Sequence, residues 1–387
     1  MSQSPRLLYD TLCDYVRQSG LLASIEAVLG WDERTMLPPA GAEHRAEQMK
    51  LLSGMIHRRW TDPRLGEWLG ELAESPLARD GYSDTGATIR RIHRQYQRRV
   101  KLPQTLVEEL THVSVLGQQA WQEARAGNDF PAFRPWLEKI VELKRQEAEA
   151  IGYSEGRYDA LLDEYEPEER TSNVAEVLAQ LREQLAPLVE QIRQSGRRPD
   201  ASILQRRFPL AEQESFGREA ATQIGFDFDR GRLDVTAHPF CSSHGPHDCR
   251  ITTRYEEHAF SGALFGILHE AGHGTYEQGL RVDHYGLPLG EAVSLGIHES
   301  QSRLWENMVG RSRAFWEHFY AEAQRRFPQA LGDVSLDDFY FAINGVRASL
   351  IRVEADEATY NLHILVRFEL EQALLDGDLL VGDLPGA

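Results

Sequence analysis

The stretch TSNVAEVLAQLREQLAPLVEQIRQ, residues 171–194, indicates what kind of fold this chain adopts. Its apolar residues recur at steps of three and four, which places them along one stripe of an α-helix. They are Val174, Val177, Leu178, Leu181, Leu185, Leu188 and Ile192. The pattern therefore predicts one amphipathic helix.

The same periodicity returns along most of the chain, whereas alternating strand patterns are scarce. Further helices are predicted at roughly 4–28, 40–59, 84–101, 104–126, 131–151, 210–224, 258–279, 290–309, 313–326, 336–348 and 352–376. The best strand candidates are RLDVTAHPF (232–240) and CRITTRYEE (249–257), where β-branched residues adjoin turns. We expect a mainly α protein, residues 1–387 forming one large helical domain, with a small antiparallel β-sheet near the histidine motif described below.

Composition limits the classes of function. The 387 residues include 60 acidic and 42 basic side chains, a formal charge of −18, which argues against a nucleic-acid binder. We interpret the one basic run, RRIHRQYQRRVK (90–101), as a solvated helix face. Three cysteines are too few for a disulfide scaffold, and neither a signal peptide nor a membrane span is apparent. A cytoplasmic location is expected.

The segment LHEAGHGTYEQG (268–279) carries the strongest chemical signal. On a helix, His269 and His273 lie one turn apart on one face, so both imidazoles can bind the same metal ion. Glu270 lies beside them and is the candidate general base, as in the His-Glu-x-x-His helix of zinc peptidases. The preceding apolar stretch AFSGALFGIL (259–268) indicates that this helix is largely buried. A satisfied structural histidine pair is the alternative interpretation.

A catalytic zinc site needs a third protein ligand. The next helical stretch, LGEAVSLGIHESQSRLWEN (289–307), offers Glu299, which lies 26 residues after His273. His298 is a competing donor, and Glu277 and Glu291 are further acids nearby. A second cluster in HPFCSSHGPHDC (238–249) holds three histidines and two cysteines. Its spacing matches no standard structural zinc framework, so we interpret it as a substrate-binding loop.

Five ordered motifs resemble the carboxypeptidase Taq family of metallocarboxypeptidases. They are HPF (238–240), DCRIT (248–252), HEAGH (269–273), HESQ (298–301) and IRVEAD (351–356). The segments WDERTMLPPAGAEHRAEQM (31–49) and YDALLDEYEP (158–167) are also similar to family segments, so the likeness covers nearly the whole chain.

The resemblance implies a role for each matched residue. His269, His273 and Glu299 would hold one divalent ion, zinc by preference and cobalt as an alternative, with Glu270 as the catalytic base. The family removes single C-terminal amino acids from peptides, in a long active-site groove of a helical fold that forms a homodimer. We expect this chain to act likewise, with no nucleic-acid or membrane partner.

An exopeptidase of this kind reads a free C-terminal carboxylate, which arginine binds bidentately. Arg352 and Arg250 lie within motifs and are the candidates, Arg352 being favoured; a structural ion pair with nearby acids is the alternative for both. His238, Tyr360 and His363 are candidates for holding the peptide or a developing oxyanion, on motif proximity alone.

The sequence departs from the family at its end. Family members continue for about a hundred residues and carry a Gly-x-x-Gln-Asp-x-His-Trp element, whereas this chain contains no Gln-Asp dipeptide. We therefore expect a shortened member. The alternatives are a catalytically weak or silent metal-binding scaffold, a helical zinc endopeptidase or aminopeptidase, and a metal-free interaction protein.

Overall fold

The structure is a computed structural model that describes residues 4–352 and 355–387. Helices dominate these residues, as the sequence predicts. The helices are α1 (Pro5–Thr35), α2 (Ala42–Trp60), α3 (Pro63–Ala73), α4 (Asp84–Arg99), α5 (Gln104–Gly127), α6 (Phe130–Ile151), α7 (Arg157–Tyr165), α8 (Thr171–Gln194), α9 (Leu210–Gln223), α10 (Phe260–Gln278), α11 (Leu295–Arg303), α12 (Arg313–Arg326), α13 (Pro328–Leu331), α14 (Leu336–Ile343) and α15 (Glu357–Asp376). The strands are β1 (Gly231–Val235), β2 (Cys241–Ser243) and β3 (Cys249–Thr253).

The chain divides into two compact units. The first comprises residues 1–169, 280–293 and 370–387, and the second comprises 170–279 and 294–369. The histidine motif and the sheet both belong to the second unit. The single domain and the long groove that the sequence suggests stay predictions. No helix in the described part of the chain is long and apolar enough to cross a membrane.

The first unit has a leucine-rich core between α1, α3 and α4. Leu12, Leu69 and Ile92 are fully buried there. Local signals start the helices: Ser4 accepts a hydrogen bond from the Leu7 amide at the start of α1, and Asp62 accepts one from the Arg64 amide at the start of α3. The basic run of α4 is partly ion-paired rather than simply solvated, since Arg94 and Arg98 both contact Asp163 of α7.

The second unit is built around aromatic side chains. The fully or almost fully buried members of this core are Phe208, Phe216, Phe260, Trp316, Phe327 and Phe339. Phe260 begins α10 and packs against Phe208 with ring centroids 4.8 Å apart. Rings of this size each bury a large apolar area, so the first turn of α10 is anchored in the aromatic core of the unit.

The small sheet is mixed, which corrects the antiparallel expectation. Its order is β1-β3-β2, with β2 antiparallel to β3 but β1 parallel to β3. The reason is geometric: the chain reverses direction between β1 and β2 and again between β2 and β3, so β3 runs the same way as β1 and inserts between them. The sheet does lie beside the histidine motif, because Cys249 and Ile251 of β3 pack with Ile267 and Ala271 of α10.

Several helix boundaries differ from the sequence prediction. Helix α1 continues to Thr35 instead of ending near residue 28, and α3, α7 and α13 form where no helix was predicted. The stretch predicted at 290–309 begins only at Leu295, where Ser294 caps the helix, and its last six residues, Leu304–Val309, form a π-helix. The stretch predicted at 336–348 ends at Ile343. The last helix begins at Glu357, since Asp356 accepts hydrogen bonds from the amides of Ala358 and Thr359 and so sets its first turn.

Candidate metal centre

The helix α10 presents the histidine motif from a buried position. Ile267, Leu268 and Ala271 are completely buried on its apolar side. The side chains of His269 and His273, four residues apart, keep 20% and 12% of their surface exposed. The two imidazoles are therefore mostly buried but still accessible, as ligands of a catalytic ion with an open coordination position must be.

Glu299 of α11 meets the two imidazoles. Its Oε2 lies 3.3 Å from His273 Nε2 and 3.8 Å from His269 Nε2. One donor atom from each of the three residues lies within 4.8 Å of the others, and in residues 4–352 and 355–387 no other group of three or more potential ligands does so. Ligands of a tetrahedral zinc ion at its usual bond lengths lie about 3.3 Å apart. The residues thus fit a divalent ion in both donor type and spacing.

A glycine inside the motif allows this approach. A Cβ on Gly272 would lie 2.6 Å from the Gln301 carbonyl oxygen and 2.7 Å from Ser302 Cα. These are backbone atoms of α11, so no side chain could rotate away to make room. Glycine at position 272 lets the two helices touch, and that contact brings Glu299 within reach of the imidazoles.

Glu270 follows His269 on α10 and is buried, within electrostatic range of Glu299 and Glu306. The residue is 5% exposed. Burial raises the pKa of Glu270 to about 7; the charge of His269 opposes the rise, and the charges of Glu299 and Glu306 add to it. A carboxyl group with this pKa can both accept and return a proton near neutral pH.

Each candidate ligand imidazole uses its second nitrogen for a hydrogen bond. His269 Nδ1 lies 2.8 Å from Glu306 Oε2, and Arg303 Nη1 lies 2.8 Å from the same oxygen. Burial raises the pKa of Glu306, but the hydrogen bond with His269 and the charge of Arg303 outweigh burial, and the net shift is downward. Glu306 is therefore a carboxylate at neutral pH although its side chain is only 15% exposed.

His273 has a different partner. Its Nδ1 lies 2.6 Å from His298 Nδ1, and His298 Nε2 lies 2.8 Å from Glu277 Oε1. His298 and Glu277, which the sequence offers as competing metal ligands, form this outer chain of hydrogen bonds and are not in the three-donor group. Glu291 lies in the first unit.

The residues suggested for substrate binding are not all placed alike. Arg352 donates a hydrogen bond from Nη1 to the hydroxyl of Tyr360, and the Arg303 guanidinium lies 3.8 Å from the centre of the same ring. Arg250 instead forms two 2.8 Å hydrogen bonds with the Asp248 carboxylate. His238 is exposed before β2, and His363 is half-buried on α15.

The donor-rich segment 238–249 does not assemble a metal site within the described residues. The Sγ atoms of Cys241 and Cys249 lie 3.7 Å apart on neighbouring strands, facing the apolar cluster under α10. His244 is 8% exposed, and neither of its ring nitrogens has a hydrogen-bond partner among residues 4–352 and 355–387. Within the described residues, no third potential ligand joins the two thiols, and the interpretation of this segment as a substrate-binding loop stays a prediction.

Sequence reasoning missed Glu306 and Arg303. Both belong to the segment that turns from α-helix into π-helix, a feature often found at functional sites. A signal was present, because Glu306 lies seven residues after Glu299 and therefore about two helical turns along the same side. Histidines that bind a metal usually donate their second N–H group to a carboxylate or carbonyl, so the spacing of Glu306 from Glu299 indicates a candidate for such a partner.

A buried His-Glu-x-x-His helix and a carboxylate from the next helix, in a mostly helical unit, together define a metallopeptidase site. Comparison with known proteins narrows the class. Residues 11–387 match the family model described as carboxypeptidase Taq (M32) metallopeptidase. The chain belongs to this family, and it is a metal-dependent carboxypeptidase.

Relatives support the assignment over the whole chain. A protein named thermostable carboxypeptidase 1 from Thermus thermophilus is 48% identical over 394 residues, covering 99% of this chain and 77% of that protein. Carboxypeptidase 1 of Bacillus subtilis is 38% identical, covering 96% and 74%. The crystal structure of an M32 carboxypeptidase from Deinococcus radiodurans superposes with a TM-score of 0.87 at 40% identity, covering 98% and 75%. Family and fold therefore agree.

Proposed function

We propose that His269, His273 and Glu299 bind one divalent metal ion and that Glu270 is the general base in the release of single C-terminal amino acids from peptides. The observation that carries the proposal is the convergence of these three donors within 4.8 Å beside a buried glutamate. When bound, such an ion supplies a Lewis acid that polarises a carbonyl and makes water more acidic.

Glu270 has the position and the pKa for proton transfer. His269, its neighbour in sequence, and His273, one turn away, both direct Nε2 toward Glu299. A water activated at that point would therefore lie beside the helical turn that carries the Glu270 carboxylate. We infer that Glu270 accepts a proton from the attacking water and delivers it to the leaving amine. Such transfers typically contribute about 10²- to 10⁴-fold to a rate.

Arg352 is the proposed reader of the substrate's terminal carboxylate. Its described hydrogen-bond partner is the neutral phenol of Tyr360, whereas the fork of Arg250 faces the carboxylate of Asp248. An incoming carboxylate would have to displace Asp248 from Arg250 but would add to the Arg352–Tyr360 pair. We propose Tyr360, His238 and His363 as secondary contacts with the peptide, and Arg250 as the lesser candidate for the carboxylate.

The decisive experiment compares two substrates. Metal-free protein, prepared by dialysis against a chelator, is given zinc or cobalt and assayed for release of the last residue from an N-terminally blocked dipeptide and from its C-terminal amide. We expect hydrolysis of the free acid only. Cleavage of the amide would favour an endopeptidase, and no cleavage of either substrate by metal-loaded protein would favour the silent scaffold. Family membership and the assembled donor set favour the enzyme.

Substitution of Arg352 tests how the carboxylate is read. Arg352→Lys keeps the charge but loses the planar fork, so we expect KM for the dipeptide to rise by about tenfold or more with a smaller change in kcat. Arg250→Lys is the matched control and should change KM less. A larger effect at Arg250 would exchange the two assignments.

Three finer features remain part of this proposal. We propose zinc as the resident ion and cobalt as a functional substitute, because two imidazoles and a carboxylate suit both. We also propose a homodimer and a cytoplasmic location. Elemental analysis of protein purified without chelator and sedimentation in solution test the first two.

A further inference from the structure

The two proposed ligand histidines admit one consistent arrangement of protons. If Nε2 of His269 is to bind an ion, its proton must be on Nδ1, where Glu306 Oε2 lies 2.8 Å away as acceptor. If Nε2 of His273 is to bind, its proton is likewise on Nδ1 and is donated to His298 Nδ1 at 2.6 Å. His298 then carries its own proton on Nε2, 2.8 Å from Glu277 Oε1. Every donor in these two series of hydrogen bonds thus has an acceptor.

Each of the two series of hydrogen bonds ends at a mostly buried carboxylate, a group that burial alone would not favour. The side chains of Glu306 and Glu277 are only 15% and 16% exposed, and an isolated carboxylate is costly to keep away from water. Arg303 offsets part of this cost at Glu306, and it belongs to the same helical segment. A plain Arg303–Glu306 ion pair would not require Glu306 to face His269. The hydrogen bond to the imidazole therefore calls for its own explanation.

We propose that Glu306, and Glu277 acting through His298, are positioning residues that fix the tautomer and the ring direction of the two metal-binding histidines. The inference rests on the proposed function, since it takes His269 and His273 as ligands. The hydrogen bonds that hold the two histidines differ in strength. A charged acceptor forms a shorter and stronger hydrogen bond than a neutral imidazole, so Glu306 should hold His269 more firmly than His298 holds His273.

The first test measures zinc affinity in Glu306→Gln by competition with a chromophoric chelator. The variant keeps the shape of the side chain but removes its charge, and its amide can turn to present the wrong group to Nδ1. Loss of such an outer partner typically weakens metal binding by about 10- to 100-fold, and we expect a loss in that range. The d–d absorption bands of the cobalt-loaded variant should also shift, because the ring of His269 is no longer held.

Glu322→Gln provides a matched control. Glu322 lies in the same unit, and its side chain is 17% exposed. It pairs with Arg325 and Arg326, and no imidazole among the described residues is bonded to it. We expect unchanged zinc affinity and unchanged cobalt bands in this variant. Thermal unfolding of both metal-free variants shows whether the two substitutions cost the same folding stability, which separates positioning from general destabilisation.

The second arm uses His298→Phe, which keeps a ring beside His273 and Tyr276 but removes the Nδ1 acceptor. Zinc affinity should fall by about tenfold, less than in Glu306→Gln. This variant also decides the question if Glu306→Gln does not fold. Zinc affinities and cobalt bands equal to those of Glu322→Gln in the folded variants would overturn the inference. Failure of the unsubstituted protein to bind one zinc would instead refute the proposed function.

Discussion

Two segments of the second unit are rich in potential metal ligands, and within the described residues only one of them gathers three such ligands at one point. Residues 238–249 hold three histidines and two cysteines within twelve positions, yet they bring only the two thiols together. Residues 269–299 supply the donors of the assembled site from two helices. The difference shows that rigid spacing and close helix contact decide convergence, while the density of donors along the chain does not.

The largest expected effect is at Glu270, which tests whether the helical segment performs chemistry as well as holding metal. Glu270→Gln should retain one metal ion per chain and lose about 10²- to 10⁴-fold in kcat, because the proton acceptor is gone. Steady-state kinetics and elemental analysis on the same sample check both statements. Residual turnover near that of the unsubstituted enzyme would remove Glu270 from the role of base.

The pH profile of the unsubstituted enzyme sharpens the same point. Glu270 must be ionised to accept a proton, and its pKa without an ion is about 7. A nearby cation favours the ionised carboxylate. The midpoint of the acidic limb of kcat/KM should therefore lie at a pH below that pKa. Activity is then lost as pH decreases through the limb. The limb should be absent from the small residual rate of Glu270→Gln.

Gly272→Ala tests the helix contact that distinguishes the two segments. The added methyl group would meet the α11 backbone at 2.6 Å, so we expect a loss of about 1–3 kcal/mol in the free energy of unfolding, together with weaker zinc binding. Gly262→Ala, on the same helix in open space, is the control and should be neutral or stabilise by up to about 1 kcal/mol. Equal behaviour of the two variants would contradict the proposed role of the contact.

Cysteine substitutions should have little effect on metal content. Cys241→Ser and Cys249→Ser, singly or together, should keep one zinc per chain, because segment 238–249 contributes no residue to the proposed metal site. The cost to folding should be about 1 kcal/mol for the buried Cys249 and less for Cys241. A fall in zinc stoichiometry in either variant would show that the ion binds in segment 238–249 and that the proposed site is wrong.

The smallest expected effect is on thermal stability and concerns His244 of segment 238–249. Burial lowers its pKa below the ordinary 6.5, so the folded state binds fewer protons than the unfolded state. Its effect on stability is nil above pH 6.5 and becomes a penalty as pH falls through that value toward the lowered pKa. His244→Leu should therefore show a smaller drop in Tm between neutral and mildly acidic pH. A drop equal to that of the unsubstituted protein would mean that His244 is solvated.

Much of the fold and the inner site could be predicted because it depends on local periodicity. The stripe from Val174 to Ile192 does form α8, and the spacing of His269 and His273 does place both rings on one side of α10. The relative direction of β1 and β3 could not be predicted, because it depends on how often the chain reverses between them. Choosing Glu299 over His298 and Glu277 was possible only as a preference, since spacing does not show which side chain faces the ligands.

The outer site depended on geometry that spacing along the chain indicates only in part. Glu306 reaches His269 from a π-helical turn, and the sequence predicted an ordinary helix there. Gly272 could be recognised as part of the motif, but its contact with Gln301 and Ser302 is a property of how two helices cross. Features that arise from packing between elements are the ones that sequence reasoning missed.

The backbone contact at Gly272 has a further consequence for how the centre is filled. Because α10 and α11 touch there without intervening side chains, the donor atoms are already gathered, and capture of an ion need not order a loose segment. Such preorganisation lowers the entropy lost on binding. It also leaves the donors with little ability to adjust to ions of different size, so an ion whose preferred bond lengths differ from the spacing of these donors should bind less tightly.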